Sequence, residues 1–515
     1  MFKKFLCLLL AIMMLGVSGC KKNENENTEN NNSVGRTLSV VGYNFEFENP
    51  LLVKNRLNRQ IFSLIYDSLY TVDKTYEPYS NLILGENMTD RGTTWEFTIK
   101  PKIFFHDGTE LSAADVAATV NFIKNNDSYY AYNVRNIQSI EALDQYKFKI
   151  VLTQPAQNIK AQLTFPIINA KDLVADFTMN GTGMYKLDNY IQRKKMVFAY
   201  NENHHANKEP QVKKIEIHLV PDKETANYAY LTGLADIYEQ DLMENESASA
   251  LSEDGYNYTE YLSNNYTFLG FNFNKVFFDD INVRQALNYA IDRNKIVSEI
   301  LFEHGQSVCV PFNPSFYMYN KTVYTEYDMK KSIQLLEEGG WEANPNTGIL
   351  EKKIGDEAVA LKFNILVNID NTFRIQVANM ISESLKQLGI DAVVEAVPFD
   401  QYELRYINGE FDSILCGMYM GLDYDISSFI KSGENEFSYS NEMADLILYN
   451  IGISPYDSED KKNYYFRLQE FFLEQLPHIS LYYTKTDVLY SKKIKDGVNP
   501  DVFSIYNKMD EWTFR

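Results

Sequence analysis

The alternation of apolar and polar side chains along the chain predicts its elements before any other feature is considered. Trp95-Glu96-Phe97-Thr98-Ile99-Lys100 alternates strictly, the period of a half-buried strand, and 103–105 continues it. His106-Asp107-Gly108 then reads as a turn. Ser112, three residues before Asp115, caps a helix running toward Lys124 in a variant of the capping box. A second strand is expected over 215–220, followed by a helix from 223 to about 232 that stops at Gly233. The run 267–273 is apolar enough for a buried strand, and Asp279 and Asp280 cap a helix with Val283, Ala286, Leu287, Ala290 and Ile291 on one face.

The C-terminal half follows one scheme. A strand over 361–367 leads to a helix over 372–388, with Phe373, Val377, Met380, Ile381, Leu385 and Leu388 on one face and Gly389 at its end. A strand over 390–397, a helix over 400–408 and a strand over 411–418 complete it. Strand–helix–strand alternation implies parallel pairing with helices over the sheet, an α/β lobe. No repeat of short fixed period is present.

The first residues belong to a different regime. Lys3 and Lys4, an apolar run over 5–15 and Val17-Ser18-Gly19-Cys20 have the layout of a bacterial export signal. The run is well short of the ~20 residues a membrane span needs. Cys20 stands where a lipoprotein signal places the thiol that is lipidated, and two acyl chains on it would anchor stably. Residues 21–33, mostly Asn and Glu without an apolar side chain, are expected to form a disordered tether reaching roughly 40 Å when extended. The folded body is expected from about Arg36 onward.

Composition narrows the class. A chain of 515 residues exceeds what one core usually supports, so two or more lobes are expected. A formal charge of −21 repels phosphates, which argues against nucleic acid as a partner and mildly favours cationic ligands. Beyond Cys7 and Cys20 only Cys309 and Cys416 remain; they form neither a disulfide framework nor a metal-finger pattern and read as small core residues. The 37 Tyr and 32 Phe offer contact area with a polar tip, useful in a pocket for varied side chains, although most serve packing.

Motifs for chemistry are missing. The sequence holds no phosphate-binding loop, no HExxH and no Gly-x-Ser-x-Gly elbow, and Gly181-Thr182-Gly183 lacks the third glycine of a dinucleotide fingerprint and reads as a turn. His204 and His205 are adjacent, and neighbouring residues rarely aim at one ion, so they read as loop residues and no metal site is assigned. No pair of acids stands out for glycosidase work. The expectation is a binding protein without enzyme activity or cofactor.

Several segments together resemble one family, the dipeptide/oligopeptide/nickel class of extracytoplasmic solute-binding proteins that serve ATP-driven importers. They are the Trp95 strand leading to Phe105-His106-Asp107-Gly108-Thr109 and Ser112-Ala113-Ala114-Asp115-Val116; Gly181-Thr182-Gly183-Met184-Tyr185-Lys186; Leu231-Thr232-Gly233-Leu234-Ala235-Asp236-Ile237; and Leu269-Gly270-Phe271-Asn272. The most specific is Val283-Arg284-Gln285-Ala286-Leu287-Asn288-Tyr289-Ala290-Ile291-Asp292-Arg293, and Leu388-Gly389-Ile390 and Pro477-His478-Ile479 extend the likeness over roughly 38–490. Met184 for the usual Pro and His204-His205 for the usual aromatic pair mark a divergent member.

The resemblance implies a two-lobed periplasmic-binding-protein-like trap with hinge crossings near Asn272-Phe273 and 483–487. It divides the chain into a signal peptide, 1–19; a lipidated Cys and tether, 20–35; a first lobe, 36–77 with 180–272 and 488–515; an extra α+β subdomain inserted in that lobe, 78–179; and a second lobe, 273–487. The His106-Asp107-Gly108 turn is then architectural. A closed cleft needs opposite charges for a peptide's termini, since burying them unpaired is costly. The family's amine-holding Asp matches Asp425, with Asp423 as fallback, in a loop where this chain lacks the usual Asp-Pro. Arg374, in the first turn of its helix, matches the carboxylate-binding Arg of dipeptide binders. Tyr43, Asn44, Tyr419 and Tyr424 are the expected cleft-lining groups. The implied partners are a peptide ligand, permease subunits with their ATPases, and the membrane through the lipid anchor, for a monomer. Two other readings stay open: a peptide-signal sensor, or a binder of nickel, a metal chelate or another small cationic solute.

Overall fold

Two long antiparallel strands, Tyr256–Phe271 and His478–Ser491, form the spine of the molecule. The structure is a computed structural model that describes residues 35–43, 45, 49–173, 178–230, 232–241 and 256–515. The expected export signal, Cys20, the tether, Asn44 and Leu231 lie outside the described residues, apart from the tether's last residue. Among the described residues no helix is long and apolar enough to cross a membrane. The chain is an α/β structure of two lobes.

The spine belongs to a sheet ordered Ile237–Asp241, His478–Ser491, Tyr256–Phe271, Ser413–Tyr419, Lys362–Asn368, Asp391–Val397, with Gly305–Ser307 also on His478–Ser491. At one end the spine pairs with Ile237–Asp241, at the other with Ser413–Tyr419. Between them its register breaks at Leu262/Tyr266, and a second irregularity at Thr267/Phe268 falls inside the stretch paired with Ser413–Tyr419. Beyond the breaks the sheet is buried on both faces: Tyr266, Phe268, Ile414 and Cys416 join one core, Leu269, Phe271, Leu415 and Ile365 the other. A strand covered on both sides reads as a continuous apolar run, which is why 267–273 announced itself.

Residues 256–266 belong to the same strand but escaped the sequence reading. Their Tyr, Asn and Thr side chains are half-buried for most of the length, so no apolar run marks them. The C-terminal half behaves as its periodicity predicts. Lys362–Asn368 pairs in parallel with Asp391–Val397 and with Ser413–Tyr419, and the helix Thr372–Lys386 buries Val377, Ala378, Ile381 and Leu385 against them.

A single core also joins two four-stranded sheets in the other lobe. One is ordered Arg36–Tyr43, Val212–Val220, Lys195–Tyr200, Tyr185–Ile191; the second is Ile83–Thr89, Thr94–Ile99, Lys147–Leu152, Ile137–Ala142. Trp95, Phe97 and Ile99 point inward and Glu96 outward, as the alternation requires. The helix Ala113–Asn125 covers that second sheet, and Asp115 accepts the Ser112 backbone N–H at 2.9 Å as a capping box should. Gly181 and Gly183 lie against the backbone of Ile65, where a Cβ would come within 1.9 and 2.5 Å, so the Gly-Thr-Gly run serves close packing. Cys309 and Cys416 are buried and free.

Phe268 is fully buried, with its ring 4.5 Å from His478 and 5.3 Å from Phe429. Truncating it leaves a cavity that neighbours packed on both faces cannot fill. Phe268→Ala is expected to lower the unfolding free energy by about 3–5 kcal/mol in a urea titration, whereas a loss within about 0.5 kcal/mol would place the ring outside a packed core.

Candidate functional site

A cavity of about 710 Å³ opens between the two lobes. One wall comes from the helix Arg56–Phe62 and the residues after it, with Tyr129, Tyr130, Tyr132 and Gln162; the other comes from 418–429, and Val502 and Phe503 close one side. Tyr66, Tyr79 and Tyr419 add to an aromatic lining.

The helix Arg56–Phe62 starts at Asn55, whose side chain accepts the Leu57 N–H at 3.0 Å. Its first turn turns Arg56 onto Glu239, gripped at 3.0 and 2.9 Å, while Arg56 also donates to the hydroxyls of Tyr261 at 2.7 Å and Tyr419 at 3.3 Å. Gln60, one turn on, donates to the same carboxylate at 3.2 Å. That cation is spoken for. Arg59 differs: its guanidinium lies 3.5 Å over the Tyr129 ring and donates to the Lys54 carbonyl, and among the described residues it makes no ion pair.

Asp423 and Asp425 form the opposite charge centre. They project into the cavity because Tyr424 between them projects the other way, with φ +47°. Tyr424 is fully buried, 5.1 Å from Tyr76 and 4.5 Å from Phe316, and its hydroxyl donates to Asn264 at 3.3 Å. This corrects the expectation that Tyr424 lines the cleft. The turn after Gly421 and the left-handed conformation of Tyr424 send its ring into the core while the two carboxylates face the cavity.

Arg135 bridges the two carboxylates, 2.9 Å from Asp423 and 2.5 Å from Asp425, from the far side of the cavity. Gln162 donates to Asp423 at 2.9 Å, Gln157 to Asp425 at 2.9 Å, and Tyr132 stacks its ring 3.6 Å under the guanidinium. Burial works against the charge on Arg135, but Asp423, with Tyr132 and Asp425, outweighs it and holds the guanidinium protonated above its ordinary range. Two carboxylates against one guanidinium leave one net negative charge at this end of the cavity.

The other expected residues fall elsewhere. Tyr419 lines the cavity. Arg374 does not: it is half-buried with its guanidinium over Gly417, where a Cβ would meet Nη2 at 1.7 Å. Tyr43 packs beside Val41, Tyr230 and Tyr238, while its carbonyl accepts from Asn58 at 2.9 Å. Arg59, Arg135, Gln157 and Gln162 were not found in sequence. Arg135 reaches partners 288 and 290 positions away, which no local pattern marks. His106 is architectural, its ring bonded to Gly183 O at 3.0 Å. The adjacent His204 and His205, expected to diverge in a loop, both turn toward Asp67.

Residues 77–436 match the model of the family described as bacterial extracellular solute-binding proteins, family 5 Middle. The oligopeptide-binding protein AppA of Bacillus subtilis is 25% identical over 547 residues, covering 99% of this chain and 98% of that protein. The nickel-binding periplasmic protein of Escherichia coli is 25% identical over 388 residues, 72% of each. Among solved structures, AppA from Bacillus subtilis in complex with a nonapeptide superposes with a TM-score of 0.65 at 22% identity, covering 93% of this chain and 99% of that one. HbpA2 from Haemophilus parasuis gives 0.76 at 18%, covering 93% and 100%. These two likenesses show the fold.

Removing one member of a buried ion pair leaves the rest unpaired and costs more than removing both. Arg135→Gln is expected to lower the unfolding free energy by about 3 kcal/mol, and adding Asp423→Asn to restore at least about 1 kcal/mol of it in the same urea titration. Strictly additive losses would show that the two side chains are not coupled.

Proposed function

The chain belongs to the bacterial extracellular solute-binding proteins, family 5, and from that premise we propose that it captures short peptides for a membrane importer. One observation carries the peptide reading: the cavity holds a net negative centre at Asp423 and Asp425 and, on another wall, the Arg59 guanidinium, which has no carboxylate partner among the described residues. A free peptide is a zwitterion, and burying either end without an opposite charge is costly. The volume falls within the ~300–1,000 Å³ of small-ligand sites, so the reading is a peptide of a few residues. The tyrosines supply rigid contact with polar tips, which suits side chains of varied shape. What relatives are named for supports the class: one binds oligopeptides, another nickel.

In this reading Asp425 and Asp423 receive the amine and Arg59 the carboxylate, with Tyr419 and Tyr132 along the ligand. The lobes are 36–77 with 180 to about 262 and 488–515, carrying the 78–179 insert, against about 266–487; Tyr266, Phe268, Leu269 and Phe271 pack in the cores that hold 413–419, so the expected boundary at 272 moves back to the register break. The register break at 262–266 on the spine is the natural place for the chain to bend, a few residues before the expected Asn272-Phe273 crossing. The captured peptide is handed to permease subunits driven by ATPases, and the protein acts as a monomer without catalysis. Cys20 carries the lipid that holds it to the outer side of the cell membrane, a reading that rests on the layout of residues 3–20.

Native mass spectra recorded before and after unfolding, on protein exposed to a peptide-rich extract, are expected to release species of two to five residues. Asp425→Asn is expected to lose them. Release of a metal or a non-peptide amine from the unsubstituted protein would reject the peptide assignment. Metabolic labelling with a radioactive fatty acid is expected to mark the protein and to fail in Cys20→Ser; equal labelling of both would remove the anchor.

A further inference from the structure

We propose that Asp67, His204 and His205 form a binding site for a late first-row divalent cation, zinc, cobalt or nickel, in the wall of the cavity. It stands independently of which solute the cavity holds. The three side chains come from two loops brought together by the close packing of Gly181 and Gly183 on Ile65.

Adjacent histidines usually point apart, but here 201–207 is a pair of tight turns. His204 N bonds Asn201 O at 3.0 Å, Asn207 N bonds His204 O at 3.0 Å, and Asn207 has φ +49°. The turns put both rings on one side, centroids 4.3 Å apart and planes at 49°. His205 Nε2 lies 3.1 Å and His204 Nε2 3.7 Å from Asp67 Oδ2. One donor atom from each of the three residues falls within 4.8 Å of both others. Tetrahedral bonds of ~2.0–2.1 Å place donor atoms about 3.3 Å apart, so the observed spacings bracket what such an ion needs.

A hydrogen-bonded His–Asp pair accounts for His205 but not for His204. Its side chain is only 6% exposed, yet among the described residues neither ring nitrogen has a hydrogen-bond partner. A buried imidazole in that condition asks for an explanation, and an ion accepting from Nε2 supplies one. Asp67 is built as a ligand: Thr182 Oγ1 donates to its Oδ2 at 2.9 Å and Asn81 to its Oδ1 at 3.2 Å, fixing the carboxylate as outer partners do at metal sites.

Imidazole with carboxylate favours this group of metals over calcium or magnesium, which prefer all-oxygen sites. Three protein ligands leave a fourth position for water or a donor from solute. Asp67 and Asn81 face the cavity, while His205 and Asn81 also face a hollow outside it bounded by Ser80 and Lys102, which gives an ion a route in. Bound there, it would tie the 201–207 turns to the bend at Asp67 and stiffen that wall.

The test uses the purified protein without a polyhistidine tag, stripped with chelator and titrated with cobalt(II). Expected are visible absorption bands of a low-symmetry four-coordinate ion saturating at one equivalent and displaced by zinc. His205→Gln and His204→Gln are each expected to weaken binding by roughly 100-fold or more, since loss of even an outer partner costs ~10–100-fold. His304→Gln, which disrupts the separate Glu260–His304–Asp487 cluster, is expected to change nothing. His205 is the less buried ring, and matching urea midpoints of metal-free His205→Gln and parent establish that its fold is intact. Absence of the bands, their survival in His205→Gln, or their loss in His304→Gln would overturn the proposal.

Discussion

A guanidinium held between two buried carboxylates fastens one wall of the cavity to the other. Arg135 reaches from the residues after Ala131–Val134 to Asp423 and Asp425 on the far lobe, with Gln157, Gln162 and Tyr132 completing the shell. Such a triad is weak evidence of net stability, because its members give up hydration to meet. What it does provide is geometry. The carboxylates can be buried only where the guanidinium meets them, so the closed arrangement of lobes and the position of the negative centre are fixed together. Separating the lobes would return all three groups to water together, unlike the loss of one member, which leaves the others buried and unpaired.

The scaffold gives this interaction its reach. Tyr256–Phe271 and His478–Ser491 run through both lobes as one hydrogen-bonded pair, and the longer break in their register, at Leu262/Tyr266, falls where they pass between them. Arg56 sits at that passage, tying Glu239, Tyr261 and Tyr419 into one network beside the cavity. In the proposed trap, a bend there would move the Asp423–Asp425 loop relative to the Tyr129–Tyr132 wall while each core stays packed.

Legibility in the sequence followed the range of the interactions. The Trp95–Ile99 alternation and the 361–418 alternation of strands and helices rest on local burial, and they appear where the pattern places them. Residues 256–266 were missed because a half-exposed strand of Tyr, Asn and Thr has no apolar signature. Within the site, Asp423, Asp425 and Tyr419 were found because a short stretch of chain carries them all and the family resemblance marks that loop. Tyr424 was misplaced because the side of a loop a residue faces depends on the core beneath it, here Tyr76 and Phe316. Arg135, Arg59 and the convergence of His204 and His205 on Asp67 were out of reach, since each depends on loops distant in sequence being packed together.

In the proposed function the residual charge at Asp423 and Asp425 receives a peptide's amine. Calorimetric titration with one short peptide and its N-acetylated twin tests it most directly, because acetylation removes the positive charge and little else. At least about 100-fold weaker binding of the acetylated peptide, some 2.7 kcal/mol, is the result this account predicts. Equal affinity for the two would contradict it and return the carboxylate pair to the role of an interlobe clasp alone.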